Sequence, residues 1–112
     1  MADKLKLIIA DDHHIFRKGI LSIVSEDESI EITGEAANGD DALKLIEEMK
    51  PDIAILDIDM PGLSGLDVAR KVKSEKLPVK IVILTIHKDK EYFDEALELD
   101  IKAYVLKESI AN

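Results

Sequence analysis

The 112-residue sequence contains no cysteine, which excludes disulfide bridges and thiolate metal centres. A chain built without disulfides suits a reducing compartment, and a cytoplasmic location is the expectation. No apolar run approaches the roughly 20 residues that a membrane-spanning helix requires. The opening stretch MADKLKL lacks the order of basic, apolar and small residues that marks a secretory leader. Positive charge is also in deficit: 15 Lys and Arg face 24 Asp and Glu, leaving a net charge of −9. Such a field repels nucleic acid and anionic lipid, so this chain is expected to bind neither DNA nor a membrane directly. No glycine-rich phosphate loop follows the first apolar run, which argues against a generic nucleotide-binding module.

What is present is a globular balance, 46% hydrophobic and 35% charged. The length supports one core, and residues 1–112 are read as one domain without repeat or linker. Five apolar, β-branched runs recur: Lys4–Ala10, Ile30–Ala36, Asp52–Asp57, Val79–Leu84 and Lys102–Leu106. Helical spacing fills the gaps. Phe16, Ile20, Ile23 and Val24 share one predicted face, and Leu43, Ile46 and Met49 another, closed by Pro51. Leu66, Ala69 and Val72 form a third face, and Phe93, Ala96 and Leu97 a fourth. Strand alternating with helix predicts an α/β fold around a parallel sheet. The runs DIAILD and VKIVIL are nearly all apolar, as strands covered on both faces must be. IEITGEA alternates instead, which places the second strand at an edge.

The stretch ILDIDMPGLSG, Ile55 to Gly65, is unusual: an apolar run ends in two aspartates and then breaks. A carboxylate ending a buried strand is costly unless paired. In an open parallel sheet, functional groups gather beyond the carboxyl ends of the strands. Asp11 and Asp12 follow the first strand, Asp57 ends the third, Thr85 ends the fourth and Lys107 follows the fifth. Three acids on one rim repel each other unless a cation intervenes, and one lysine cannot neutralise them all. A hard divalent ion such as Mg2+ suits oxygen ligands of this kind. With it, one carboxylate can act as a nucleophile towards phosphorus, Thr85 can hydrogen-bond the transferred group and Lys107 can neutralise its charge.

Each residue also has a plainer reading. Asp11 and Asp12 could cap a helix, Asp57 could open a turn, and Thr85 and Lys107 are ordinary surface choices. Their joint placement at four strand ends favours the site. Asp40 and Asp41 follow Asn38-Gly39 at a helix start, where capping explains them. A transition-metal site built on DDHH and His87 is not expected, because adjacent His13 and His14 diverge by about 100° on a helix. No His-x-x-x-His spacing occurs. His13 is expected to pack or cap near the first helix, and His87 to line the rim beside Thr85.

From Lys4 to Lys107 the sequence resembles the receiver domain of bacterial two-component response regulators. The resemblance is carried by IIADDHH, ILDIDMPGLSG, VILT and AYVLK in that order. It implies a flavodoxin-like (βα)5 doubly wound sheet of order 2-1-3-4-5. It also implies that Asp57 accepts a phosphoryl group from a phosphohistidine of a sensor histidine kinase. On the same analogy Asp12 and Asp57 ligate Mg2+, Asp11 acts mainly through water, and Asp59 gives its backbone carbonyl. Thr85 and Tyr104 match the switch pair, and Lys107 the phosphate-binding lysine. DDHHIFRKGI and LKES resemble the NarL/FixJ group, which carries a C-terminal LuxR-type helix-turn-helix domain. The chain would then be a signalling receiver rather than an enzyme. The other reading is a stand-alone receiver acting through protein partners or a phosphorelay.

Three departures stand out. His14 replaces a customary proline, and Leu99-Asp100-Ile101 replaces Ala-Gly-Ala before the fifth strand. The sequence ends at ESIAN, so the last helix is expected to be truncated. That predicts reduced stability or self-association through an uncovered sheet face. A haloacid-dehalogenase type phosphatase, which also uses Asp-x-Asp, is disfavoured because its motif follows the first strand rather than the third.

Overall fold

The structure is a computed structural model that describes residues 3–111, so Met1, Ala2 and Asn112 of the expected 1–112 unit lie outside the description. Five strands form one parallel sheet: β1 Leu5–Ala10, β2 Ile30–Ala36, β3 Ile53–Asp57, β4 Lys80–Thr85 and β5 Ala103–Leu106. Helices alternate with them: α1 His14–Ser25, α2 Gly39–Met49, α3 Gly65–Ser74, α4 Lys90–Glu98 and α5 Lys107–Ala111. The strand order is β2-β1-β3-β4-β5, the doubly wound order expected, with β2 at an edge. Every strand lies within one residue of its predicted limits.

Local chemistry explains the boundaries. Asn38 caps α2 by accepting a hydrogen bond from the Asp41 amide, so Asp40 and Asp41 occupy the first turn, where acids complement the helix dipole. Ser64 and Asp67 form a reciprocal capping box at the start of α3. Lys50 ends α2 in the left-handed conformation, and Pro51 prevents its continuation. Asp100, standing where the resemblance expects glycine, also takes a positive φ of 60° after α4. Aspartate tolerates that region better than most side chains, so the loop keeps its shape without glycine.

The two faces of the sheet are unequally covered. On one, Ile8, Ala54, Leu56, Ile81 and Ile83 pack against α2, α3 and α4 through Ile46, Val68 and Val72 among others. On the other, the buried cluster is smaller, Ile9, Ile20 and Leu84, with Val105 and Ile110 packed against it partly buried. α5, Lys107–Ala111, lies on this face. Three predicted helix faces each include an exposed residue. Ile23 on α1, and Phe93 and Leu97 on α4, are exposed, while α4 turns Ala96 and Tyr92 inward. Met49 on α2 is exposed as well. The apolar spacing was right in each case. The other predicted residues of α1 and α2, Phe16, Ile20, Val24, Leu43 and Ile46, do pack inward.

Candidate functional site

The parallel sheet carries β1, β3, β4 and β5 to a common carboxyl edge. Asp11 follows β1, Asp57 is the last residue of β3, Thr85 the last of β4, and Lys107 follows β5 directly. These four are the buried polar or charged side chains among the described residues, with Asp57 2% exposed and Asp11 0%. Asp12, the other member of the acidic pair, is over a third exposed at the mouth.

Lys107 ties the acids together. Its Nζ lies 3.0 Å from Asp57 Oδ2 and 2.8 Å from Asp11 Oδ2, over the Phe16 ring at 4.7 Å. The Asp57 contact has hydrogen-bond geometry, but the Asp11 contact is an ion pair alone. Asp11 Oδ2 is thus a buried oxygen without a hydrogen bond among the described residues. Burial and the Asp11 charge push the Asp57 carboxyl up to about 6, against the opposing pull of Lys107. Burial would raise Asp11 too. There the close ammonium and the His13 backbone amide outweigh it and hold Asp11 below its ordinary value. Burial would lower Lys107, but the two carboxylates raise it.

Backbone detail aims the Asp57 carboxylate. The Asp59 amide donates to Asp57 Oδ1 at 3.3 Å. Gly62, with φ 75°, turns the chain after Pro61. Gly65 lets α3 start directly against β3, since a Cβ there would lie 2.2 Å from the Asp57 carbonyl oxygen. The Asp59 side chain points outward and meets His87 Nε2 at 2.7 Å.

Thr85 and Tyr104 meet through His87. The His87 amide donates to Thr85 Oγ1 at 3.0 Å, and the Tyr104 hydroxyl donates to the His87 carbonyl at 2.9 Å. The His87 ring stacks on Tyr92, and Tyr104 meets Phe93 edge to face. Burial raises the Tyr104 hydroxyl above its ordinary value.

Sequence reasoning left His13 outside the site, and the structure brings it in. It occupies the N-cap position of α1 but makes no side-chain capping bond. Its ring turns back over the acids, Nδ1 lying 3.2 Å from Asp11 Oδ1 and 3.1 Å from Lys107 Nζ. One ligand atom from each of Asp11, Asp12, His13 and Asp57 falls within 4.8 Å of the others. The only signal in the sequence was adjacency to the acidic pair. Arg17 was quoted in the motif without a role; it donates to the Asp11 carbonyl and pairs with Glu35, fixing α1 against β1 and β2.

The family model of the response regulator receiver domain matches residues 7–112. The chain is 40% identical over 105 residues to the transcriptional regulatory protein YhcZ of Bacillus subtilis, covering 94% of this chain and 49% of that protein. Among solved structures, the signal receiver domain of the response regulator NarL from Mycobacterium tuberculosis superposes with a TM-score of 0.91 at 35% identity, over 95% of this chain and 86% of that one. A LuxR-family DNA-binding response regulator from Staphylococcus aureus gives 0.89 at 41% identity, over 93% of this chain and 87% of that one. The chain spans about half the length of the curated relatives it matches.

Proposed function

This chain belongs to the response regulator receiver domain family, and on that premise we propose that it accepts a phosphoryl group on Asp57 from a phosphohistidine of a sensor histidine kinase. The observation that carries the reading is the Asp57 carboxylate itself: buried at a strand end, with its pKa raised, yet within 3.0 Å of a buried ammonium. Nothing in the packing requires a carboxylate there. An Asp57 oxygen forms the new O–P bond as the P–N bond of the donor breaks, and the electron pair passes to the departing imidazole nitrogen.

The residues present fit a hard divalent ion. Asp11 and Asp57 share one ammonium, the Asp12 carboxylate lies beside them, and the buried Asp11 Oδ2 lacks a hydrogen bond. Asp11, Asp12, Asp57 and the Asp59 backbone carbonyl would hold Mg2+, which when bound offsets the charge gathered by the carboxylates and the phosphoryl oxygens. Lys107 pairs with those oxygens as the charge on Asp57 passes outward. The Thr85 hydroxyl, which now only accepts, keeps its proton free to donate to the same group. Movement of Thr85 pulls on His87, and through the His87 carbonyl on Tyr104 and the α4–β5 surface.

In the full-length protein this switch controls a C-terminal LuxR-type helix-turn-helix domain, and DNA contact belongs to that domain. Support comes from the acidity of this chain and from relatives that are transcriptional regulators of about twice its length. The domain is a signalling receiver that promotes only its own phosphorylation and dephosphorylation. The test is intact mass after incubation with Mg2+ and acetyl phosphate, alongside Asp57→Asn. The parent gains one phosphoryl group and the variant none. Labelling of both, or of neither, would overturn the assignment of Asp57.

A further inference from the structure

The His13 imidazole, though more than half exposed, makes its contacts with the buried acids and Lys107 rather than with its own helix. As N-cap residue it makes no capping bond, and its ring bends away from the helix towards the carboxylates. His14 diverges, as adjacent positions must, and its Nδ1 lies 3.3 Å from an Arg17 nitrogen instead. His13 Nδ1 stands 3.2 Å from Asp11 Oδ1, 3.5 Å from Asp12 Oδ1 and 3.7 Å from Asp57 Oδ2. The Lys107 ammonium sits among three of the same residues, 3.1 Å from Nδ1, 2.8 Å from Asp11 Oδ2 and 3.0 Å from Asp57 Oδ2. In the tautomer that leaves Nδ1 unprotonated, the ammonium is therefore shared by one nitrogen and two oxygen acceptors. Asp11 Oδ2, buried and without a hydrogen bond, points into the same space.

We propose that His13 Nδ1 is a nitrogen donor of this cation site, which therefore takes divalent ions of the Co2+, Ni2+ and Zn2+ class and ranks them above Mg2+. The proposal rests on the reading of Asp11, Asp12 and Asp57 as a divalent-cation site. Mg2+ prefers oxygen ligands and gives up water reluctantly, so an imidazole adds little to its binding. Borderline ions accept imidazole nitrogen readily and follow the Irving–Williams order, so the same imidazole adds selectively to theirs. The sequence argument against a transition metal required two histidines on one ion. The structure supplies one histidine and three carboxylates.

Binding of Co2+ and of Mg2+ is measured by titration calorimetry on the parent, His13→Asn and His14→Asn, with the visible Co2+ spectrum as a second readout. Asparagine is a favoured N-cap, so His13→Asn keeps α1 started and the fold intact. The parent binds Co2+ at least about tenfold more tightly than Mg2+. His13→Asn loses about tenfold in Co2+ affinity and shifts the Co2+ bands, while its Mg2+ affinity changes less than about twofold. His14→Asn behaves as the parent. Equal Co2+ affinity in parent and His13→Asn overturns the proposal and leaves the Mg2+ reading standing. Loss of Co2+ preference in His14→Asn also overturns it, assigning the effect to a surface histidine. If the parent binds neither ion, both the proposal and the cation-site reading fall.

Discussion

The two ends of the sheet are built on opposite principles. At the carboxyl end, Asp11, Asp57, Thr85 and Lys107 are buried, and no wholly apolar substitute would cost as much to desolvate. At the amino end, Lys73, Lys76, Lys80 and Lys102 rim an apolar groove floored by Val72, Leu77, Val79 and Ile81, yet every one of these lysines is exposed. The amino end also holds Lys50, Lys76 and Asp100, the non-glycine residues with positive φ among the described residues, each closing a helix. After α3 and α4 the closing bonds run from Leu77 to Val72 and from Ile101 to Ala96, the pattern of a left-handed C-cap. Charge at the amino end is solvated and serves the helix ends. Charge at the carboxyl end is held out of water, and buried charge of that kind persists where chemistry needs it.

Removing the cation at the carboxyl end gives the largest expected effect. Lys107→Met leaves Asp11 and Asp57 facing each other without a partner, a loss of about 3 kcal/mol at neutral pH in urea unfolding. The loss shrinks as pH falls and the carboxylates take up protons. An unchanged urea midpoint would mean that water already screens the pair. Gly65→Ala comes next, at about 2 kcal/mol, because the added Cβ meets the Asp57 carbonyl backbone and neither can yield cheaply. Gly19→Ala, inside α1 with no atom within 4 Å, should move the same melt the other way, gaining about 0.5–1 kcal/mol.

Asp57→Asn is expected to stabilise. The folded Asp57 titrates near 6, above its ordinary 3.8, so between those values the folded chain holds a proton that the unfolded chain releases. Stability from this group is therefore present below the lower value and lost as pH rises through about 6. Asparagine has no such loss, so the variant gains about 2 kcal/mol at pH 7 and nothing near pH 4, in buffer with a chelator. A constant gain across that range would show that packing rather than ionisation is responsible. At the amino end the smallest effect is expected: Asp100→Gly relieves a left-handed residue and adds about 0.5–1 kcal/mol. Its exposed contact to Lys73, 3.4 Å, is worth too little to reverse the sign. Destabilisation by this change would locate a real contribution in the lysine rim and narrow the contrast between the ends.

Much of this was visible in the residues alone. The apolar runs placed all five strands, and the alternation of Glu31, Thr33 and Glu35 with Ile30 and Ile32 marked β2 as the edge. The strand ends then pointed to Asp11, Asp57, Thr85 and Lys107, because a parallel sheet delivers every strand to the same side. Helix phase was less legible. The spacing groups Phe93 and Leu97 with Ala96, but α4 turns Ala96 inward together with Tyr92 and leaves Phe93 and Leu97 exposed.

The sequence by itself determined the element order, the edge strand, and the carboxylates and lysine at one rim, since each depends on residue type and spacing along the chain. Only the tertiary structure decided the direction of the His13 ring, the sharing of Lys107 between Asp11 and Asp57, and the tie from Thr85 through His87 to Tyr104. Those depend on side-chain torsions and on distances between strands brought together by folding. A chain pattern with a period of two or 3.6 residues carries neither.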